Sequence, residues 1–293
     1  VKKTSKDRQK IKKEYDFYYL LPDDMTPWFV MPYDFQDDGS IASYSMKRYH
    51  MADLALRFVH GAIDTREFDK LMEIIFYFLK SRSAKSITKE EYRKKADELY
   101  LTKVRDRVKQ LKNHPSFKKI CRLSGGQEEE YIDSLVERYE KLYESTVRGS
   151  DIEPKSVIGH GDLCFSNILF DKNTELMMLI DPKGASTPEE MWTDPYYDIA
   201  KLSHSISGRY DLFNSGLYRF DLDDDLEPVL EIDFDNSAYV KIFRRYLEEN
   251  GISFKMVRVF EVSLFLSMLP LHMDYPKKVF AFMKNAERIM DEI

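Results

Sequence analysis

The sequence predicts an α+β protein, and three patterns carry that prediction. A helix followed by a β-hairpin signal occupies the first fifty residues. Helical periodicities fill 64–145 and 237–293. Between them lies a second, smaller hairpin whose flanks hold residues of chemical use. Helix, hairpin, then a long helical part enclosing a small hairpin make one continuous plan, with no internal repeat or low-complexity linker.

Residues 5–20 read as a helix capped by Ser5 or Asp7, with Ile11, Tyr15, Tyr18 and Tyr19 on one face and Pro22 ending it. Residues 28–35 and 40–49 read as strands, because Asp37-Asp38-Gly39 between alternating apolar segments is a hairpin signal. Helical spacing begins after Asp64 with Phe68, Leu71, Ile75, Phe78 and Leu79. Thr88-Lys89-Glu90-Glu91 has the form of a capping box for a helix running to Asn113. After Gly125-Gly126, residues 128–145 form another helix, and the charged faces of these helices read as solvated surface. Strands are expected at 157–159, 168–170 and 176–180, with Asp171-Lys172-Asn173 turning the last two. A helix over 194–205 has Pro195 at its first position; 221–235 reads as acidic loop, and helices close the chain over 237–249, 254–269 and 276–293.

Bulk properties narrow the function classes. At 293 residues, 43% apolar and 33% charged, the chain buries a sizeable core. A net charge of −6 argues against a nucleic-acid partner. Two distant cysteines, Cys121 and Cys164, suggest neither a disulfide framework nor a zinc site, and point to a cytoplasmic location. The most apolar stretch, 262–271, contains Ser263, Ser267 and Pro270, so no membrane span is expected. The first residues lack the apolar core of a signal peptide.

The chemistry concentrates in His160-Gly161-Asp162-Leu163-Cys164-Phe165-Ser166-Asn167 and in Ile180-Asp181-Pro182-Lys183-Gly184. An Asp and an Asn five apart, with a second Asp beyond a short hairpin, are what Mg-nucleotide chemistry requires. One carboxylate orients an acceptor hydroxyl, while an amide oxygen and another carboxylate hold Mg²⁺ against phosphates. Asp162 is therefore the candidate base, and Asn167 and Asp181 the candidate metal ligands. Each residue alone is more commonly a cap or a turn residue; the joint order is what carries weight.

That order, with Asp194-Pro195-Tyr196-Tyr197-Asp198 after it, resembles the aminoglycoside phosphotransferase and choline kinase family, relatives of the protein kinases. The resemblance is strong over 157–205 and weak in the helices. It implies a two-lobed protein-kinase-like fold, with residues 1–49 as a partial N-lobe of strand end, helix and hairpin. Residues 50–293 would then be a C-lobe carrying the catalytic loop, the metal-binding hairpin and a helical acceptor region. It further implies that His160 braces the catalytic loop and that Asp198 anchors it.

Kinase-like folds pair a strand lysine with a helix glutamate. On that resemblance Lys3 pairs with Glu14, Lys2 being the alternate, and the segment from Met46 to Tyr49 leads to the adenine hinge; those aromatics also suit a plain core. The two strands and phosphate-covering loop that should precede Lys3 are not in the sequence, which also contains no Gly-x-Gly-x-x-Gly. The expectation is a truncated N-lobe, preceded by or fused to an upstream segment.

The implied cofactors are Mg²⁺ and ATP or another nucleoside triphosphate. The implied reaction moves the γ-phosphate to a hydroxyl of a small molecule: a sugar, an amino alcohol or an aminoglycoside-like acceptor. Trp192, Tyr196 and Tyr197 either line an acceptor pocket or pack the lobe. Lys183 either meets a phosphate or anionic acceptor or sits on the surface. The alternative is a pseudokinase, a nucleotide-binding regulatory module of a larger polypeptide. A protein kinase proper is disfavoured, because no Asp-Phe-Gly and no Ala-Pro-Glu follow.

Overall fold

In the computed structural model, which describes residues 1–123, 126–223 and 228–293, strand β1 (Lys2–Ser5) leads into helix α1 (Arg8–Leu20). Of the two expected caps it is Asp7 that accepts a hydrogen bond from the Lys10 N–H, while Ser5 Oγ accepts from Asp7 N–H. Strands β2 (Pro32–Asp37) and β3 (Ala42–Met46) follow, and the sheet order is β1-β3-β2, antiparallel throughout. The hairpin turns at Asp37-Asp38-Gly39 as expected. The strand expected from residue 28 begins only at Pro32, because Thr26–Trp28 is a 3₁₀ turn with Pro27 near its start.

Helix α2 (Leu54–Val59), which the sequence did not announce, is capped by Asp53. Helix α3 (Thr65–Ser81) is capped by Asp64 and buries Phe68, Leu71, Ile75, Phe78 and Leu79, the spacing that predicts it. Short β4 (Ala84–Ser86) precedes α4 (Lys89–Ala96) and α5 (Lys103–Asn113). The expected single helix to Asn113 carries a π-helical stretch, Asp97–Thr102, between its halves. Helix α6 (Pro115–Leu123) and helix α7 (Gln127–Tyr143) come next; Gly126, at φ 96°, supplies the left-handed residue before α7, and Gly125 lies outside the described residues.

Strands β5 (Lys155–Ile158), β6 (Ile168–Asp171) and β7 (Leu176–Leu179) lie near their expected places, and β8 (Trp192–Thr193) is one the sequence did not announce. β4-β5-β8 form one small sheet, and β6-β7 form the hairpin. Helix α8 (Tyr197–Ile206) starts two residues later than Pro195 suggests. Asp194 accepts from the Tyr196 N–H at 2.7 Å, and this turn uses up the Asp-Pro dipeptide before the helix begins. After α9 (Tyr210–Asn214) the expected acidic loop is in part a hairpin, β9 (Arg219–Leu222) with β10 (Pro228–Glu231); residues 224–227 lie outside the described residues. Phe220 and Leu230 pair across this hairpin, and with Val229 they supply the apolar content that the charge count concealed. Helices α10 (Ser237–Glu249), α11 (Phe254–Met268) and α12 (Pro276–Asp291) complete an α+β chain of small sheets and many helices, the class the sequence predicts.

Two compact units divide these elements. One comprises Val1–Thr88 with Pro154–Leu202; the other comprises Lys89–Glu153 with Ser203–Ile293. In the second unit α11 is buried along almost its whole length and packs against α5, α7 and α12. Tyr100 stacks on Phe260 with ring centroids 4.0 Å apart. A buried ion pair, Arg258–Glu261 at 2.7 Å, is completed by Ser203 on Glu261 and Glu292 on Arg258. In the first unit Ile11 of α1 packs on Ala42 and Tyr44 of β3, which fixes the helix over the sheet. Every candidate site residue lies in this unit.

Candidate active site

Strand alternation decides which lysine meets the helix. Lys3 sits opposite Tyr44 of β3, and its Nζ lies 2.7 Å from Glu14 Oε2 and 3.0 Å from Asp181 Oδ1. Lys2, on the other face, bonds Gln36 instead. Glu14 is only 3% exposed, and the Tyr44 hydroxyl also donates to its Oε2 at 3.2 Å. Burial works against the Lys3 ammonium, but the Glu14 hydrogen bond and the charges of Asp181 and Glu14 outweigh it and hold its pKa above the ordinary lysine value.

The loop after β5 is built around His160 and Asp198, both fully buried. Asp198 accepts from the N–H groups of His160 (2.9 Å, Oδ2) and Gly161 (2.8 Å, Oδ1), and from Arg82 Nη1 (2.9 Å, Oδ2). The His160 Nδ1 accepts from the Asp162 N–H at 3.2 Å, which leaves Nε2 to donate to the Ile180 carbonyl at 2.9 Å. One imidazole thus ties the Asp162 loop to the strand that ends at Asp181. Burial pushes the His160 pKa down against the pull of Asp198 and Asp162, as a neutral bridging ring requires. Gly159 must be glycine: a Cβ there would lie 2.5 Å from Thr193 Cγ2 and 3.0 Å from Asp198 Oδ2.

Asn167 ends the 3₁₀ turn Phe165–Asn167 and donates through Nδ2 to the Asp162 carbonyl at 2.8 Å and to Asp162 Oδ2 at 3.3 Å. Its Oδ1 accepts from none of the described groups. Asp181 stands at φ 55°, a left-handed conformation uncommon outside glycine, and its N–H donates to the Tyr18 hydroxyl at 3.2 Å. Main-chain bonds hold the segment on both sides: Ile180 N–H to Asn167 O (3.1 Å) and Lys183 N–H to His160 O (3.0 Å).

These donors fit Mg²⁺. An amide oxygen and a carboxylate are hard ligands, and Mg²⁺ takes few protein oxygens, leaving the rest of its octahedron to waters and phosphates. Among the described residues no group of three or more His, Cys, Asp or Glu could hold a metal.

Several residues escaped sequence reasoning. Arg82, at the end of α3, is buried against Asp198 and also donates to the Leu79 and Pro195 carbonyls. Lys201 places its Nζ 2.8 Å from Asp162 Oδ1. Burial opposes the Asp162 carboxylate, yet the charge and hydrogen bond of Lys201 hold its pKa below the usual value. A lone arginine or lysine on a helix carries no motif, so nothing local in the sequence pointed to either residue.

The remaining expected positions are less tightly joined. Met46 ends β3, and both its main-chain groups pair with Val1. Tyr49 lies beyond the strand with Lys47 Nζ 5.2 Å from its ring centroid. Trp192 is covered by Lys85 Nζ at 4.1 Å, Tyr197 is buried, and Tyr196 is half-buried.

Among the described residues no helix is long and apolar enough to cross a membrane, and both cysteines are buried and unbridged. No curated protein matches the chain. Residues 69–185 match the ecdysteroid kinase-like family, a span of less than half the chain that includes Asp162, Asn167 and Asp181. That family is a kinase-like phosphotransferase family related to the choline kinase and aminoglycoside phosphotransferase families, so the similarity is to the wider group and not to the aminoglycoside enzymes in particular. The α+β chain, with a small β region and a larger helical part, is consistent with a kinase-like fold.

Proposed function

We propose that this chain is a Mg²⁺-dependent phosphotransferase that moves the γ-phosphate of ATP, or another nucleoside triphosphate, to a hydroxyl of a small molecule. The observation that carries the reading is Lys3, which lies within ion-pair distance of both Glu14 and Asp181 and so joins the first strand and helix to the end of the metal hairpin. The match over 69–185 supports it independently.

In this reading Asp162 orients the acceptor hydroxyl and takes its proton. Asn167 and Asp181 would hold Mg²⁺, which supplies positive charge to the phosphates when bound. Lys3, kept in register by Glu14, binds phosphate oxygens. His160 and Asp198 hold the loop in shape, and the chain between Met46 and Tyr49 leads to the adenine side. Residues 1–49 act as the N-lobe part and 50–293 as the C-lobe. Positioning and electrostatics account for most of the rate in such chemistry.

The name of the matched family makes polyhydroxylated steroids of the ecdysteroid type the first acceptors to test, with sugars, amino alcohols and aminoglycosides beside them. The test is transfer of γ-³²P from Mg-ATP across that panel, with Mg-ATP binding measured by calorimetry. Labelled product from one acceptor class is expected. Tight Mg-ATP binding without transfer to any acceptor or to water would favour the regulatory, pseudokinase reading.

A further inference from the structure

Lys201 is the fifth residue of α8, and among the described residues its carboxylate partner is Asp162, at 2.8 Å. The Asp162 carboxylate is held at both oxygens, Oδ1 by Lys201 and Oδ2 by Asn167 at 3.3 Å. The two partners are unequally buried: the Asp162 side chain is 41% exposed, the Lys201 side chain 19%. Burial opposes both charges, and each partner holds the other in its charged form: the Asp162 carboxyl stays below its usual range and the Lys201 ammonium above its own. An ammonium has three donors, and Asp162 takes one of them. Residues 163 and 164, next to Asp162 in the chain, are Leu and Cys and supply no charge.

We infer that Lys201 is a positioning residue for phosphoryl transfer, fixing the Asp162 carboxylate through Oδ1. This rests on the phosphotransferase reading above. In the step, the acceptor oxygen forms its bond to the γ-phosphorus while the bond from that phosphorus to the β,γ-bridging oxygen breaks, leaving the nucleoside diphosphate. The hydroxyl proton goes to Asp162. Lys201 stays protonated throughout and holds the Asp162 carboxylate in one orientation as the proton arrives.

The test uses the full chain and Mg-ATP, with water as the acceptor where no other is known. In Lys201→Met, kcat should fall about 10²–10³-fold, with KM for Mg-ATP changed by no more than about threefold. Lys201→Arg should retain part of the loss-free rate, and Lys201→Ala should regain activity saturably when methylammonium is added. A purely structural lysine would not respond to a free amine. Unchanged kcat in Lys201→Met, or a fallen kcat in folded Lys201→Ala that methylammonium does not restore, overturns the inference; should Met not fold, the Ala and Arg variants decide it. If Asp162→Asn leaves turnover unchanged, or the wild-type protein has none, the phosphotransferase reading itself fails.

Discussion

Arg82 and Asp198 form a buried ion pair, Nη1 to Oδ2 at 2.9 Å, and the same carboxylate carries the main chain of His160 and Gly161. The guanidinium is 3% exposed and the carboxylate not at all, so neither charge has water to fall back on. Removing one leaves the other uncompensated.

Arg82→Met should therefore cost about 3–5 kcal/mol of folding stability, measured by urea denaturation. With Asp198→Asn it should show a coupling of about 0.5–3 kcal/mol in a double-mutant cycle. Additive losses would mean that the two side chains do not act as a pair.

Gly184 has φ 87°, and a Cβ there would come within 2.8 Å of the Glu14 nitrogen and 2.9 Å of the Lys13 carbonyl carbon. Gly39 has a similar φ of 88° with open space around it. Gly39→Ala should cost about 1–3 kcal/mol from backbone strain alone. Gly184→Ala should cost more and also speed amide exchange along α1, because the clash is with that helix's backbone. Equal losses would show that the segment does not bear on α1.

His160 gives a pH signature. Its folded pKa is depressed, so between that value and the ordinary one near 6.5 the unfolded chain takes up a proton that the folded chain refuses. Its stabilising effect is present above about pH 6.5 and fades as pH falls below it, at up to about 1.4 kcal/mol per pH unit. His160→Gln should lower stability at neutral pH yet flatten this slope. A variant as steep as wild type over that window would assign the slope to other groups.

Asp181 joins a left-handed backbone to a candidate metal ligand. Asn tolerates that backbone, so Asp181→Asn should fold with wild-type cooperativity. It should raise the Mg²⁺ concentration needed for half-maximal nucleotide binding about tenfold or more, the loss of ~1.4 kcal/mol. An unchanged Mg²⁺ dependence would remove Asp181 from the metal site.

Much of this was legible where local chemistry is directional. The resemblance to kinase-like folds implies the Lys3–Glu14 contact with Lys2 as the alternate, and the alternation of β1 explains why Lys3 is the one that meets α1. The β6–β7 hairpin is announced by Asp171-Lys172-Asn173, and α3 by its apolar stripe. What stayed hidden depends on partners distant in sequence. Arg82 meets a carboxylate 116 residues away, and Lys201 lies on a helix where a lysine ordinarily faces water. The β9–β10 hairpin was obscured because its acidic residues outweigh Phe220, Val229 and Leu230 in any count of charge.

In the proposed reaction Asp162, braced by Asn167 and Lys201, takes the acceptor's proton. The most direct measurement is γ-phosphate transfer from Mg-ATP by wild type and Asp162→Asn under identical conditions, with Mg-ATP affinity measured alongside. A fall in kcat of about 10²–10⁴-fold with nucleotide affinity little changed is expected. Equal turnover in the two proteins would contradict it.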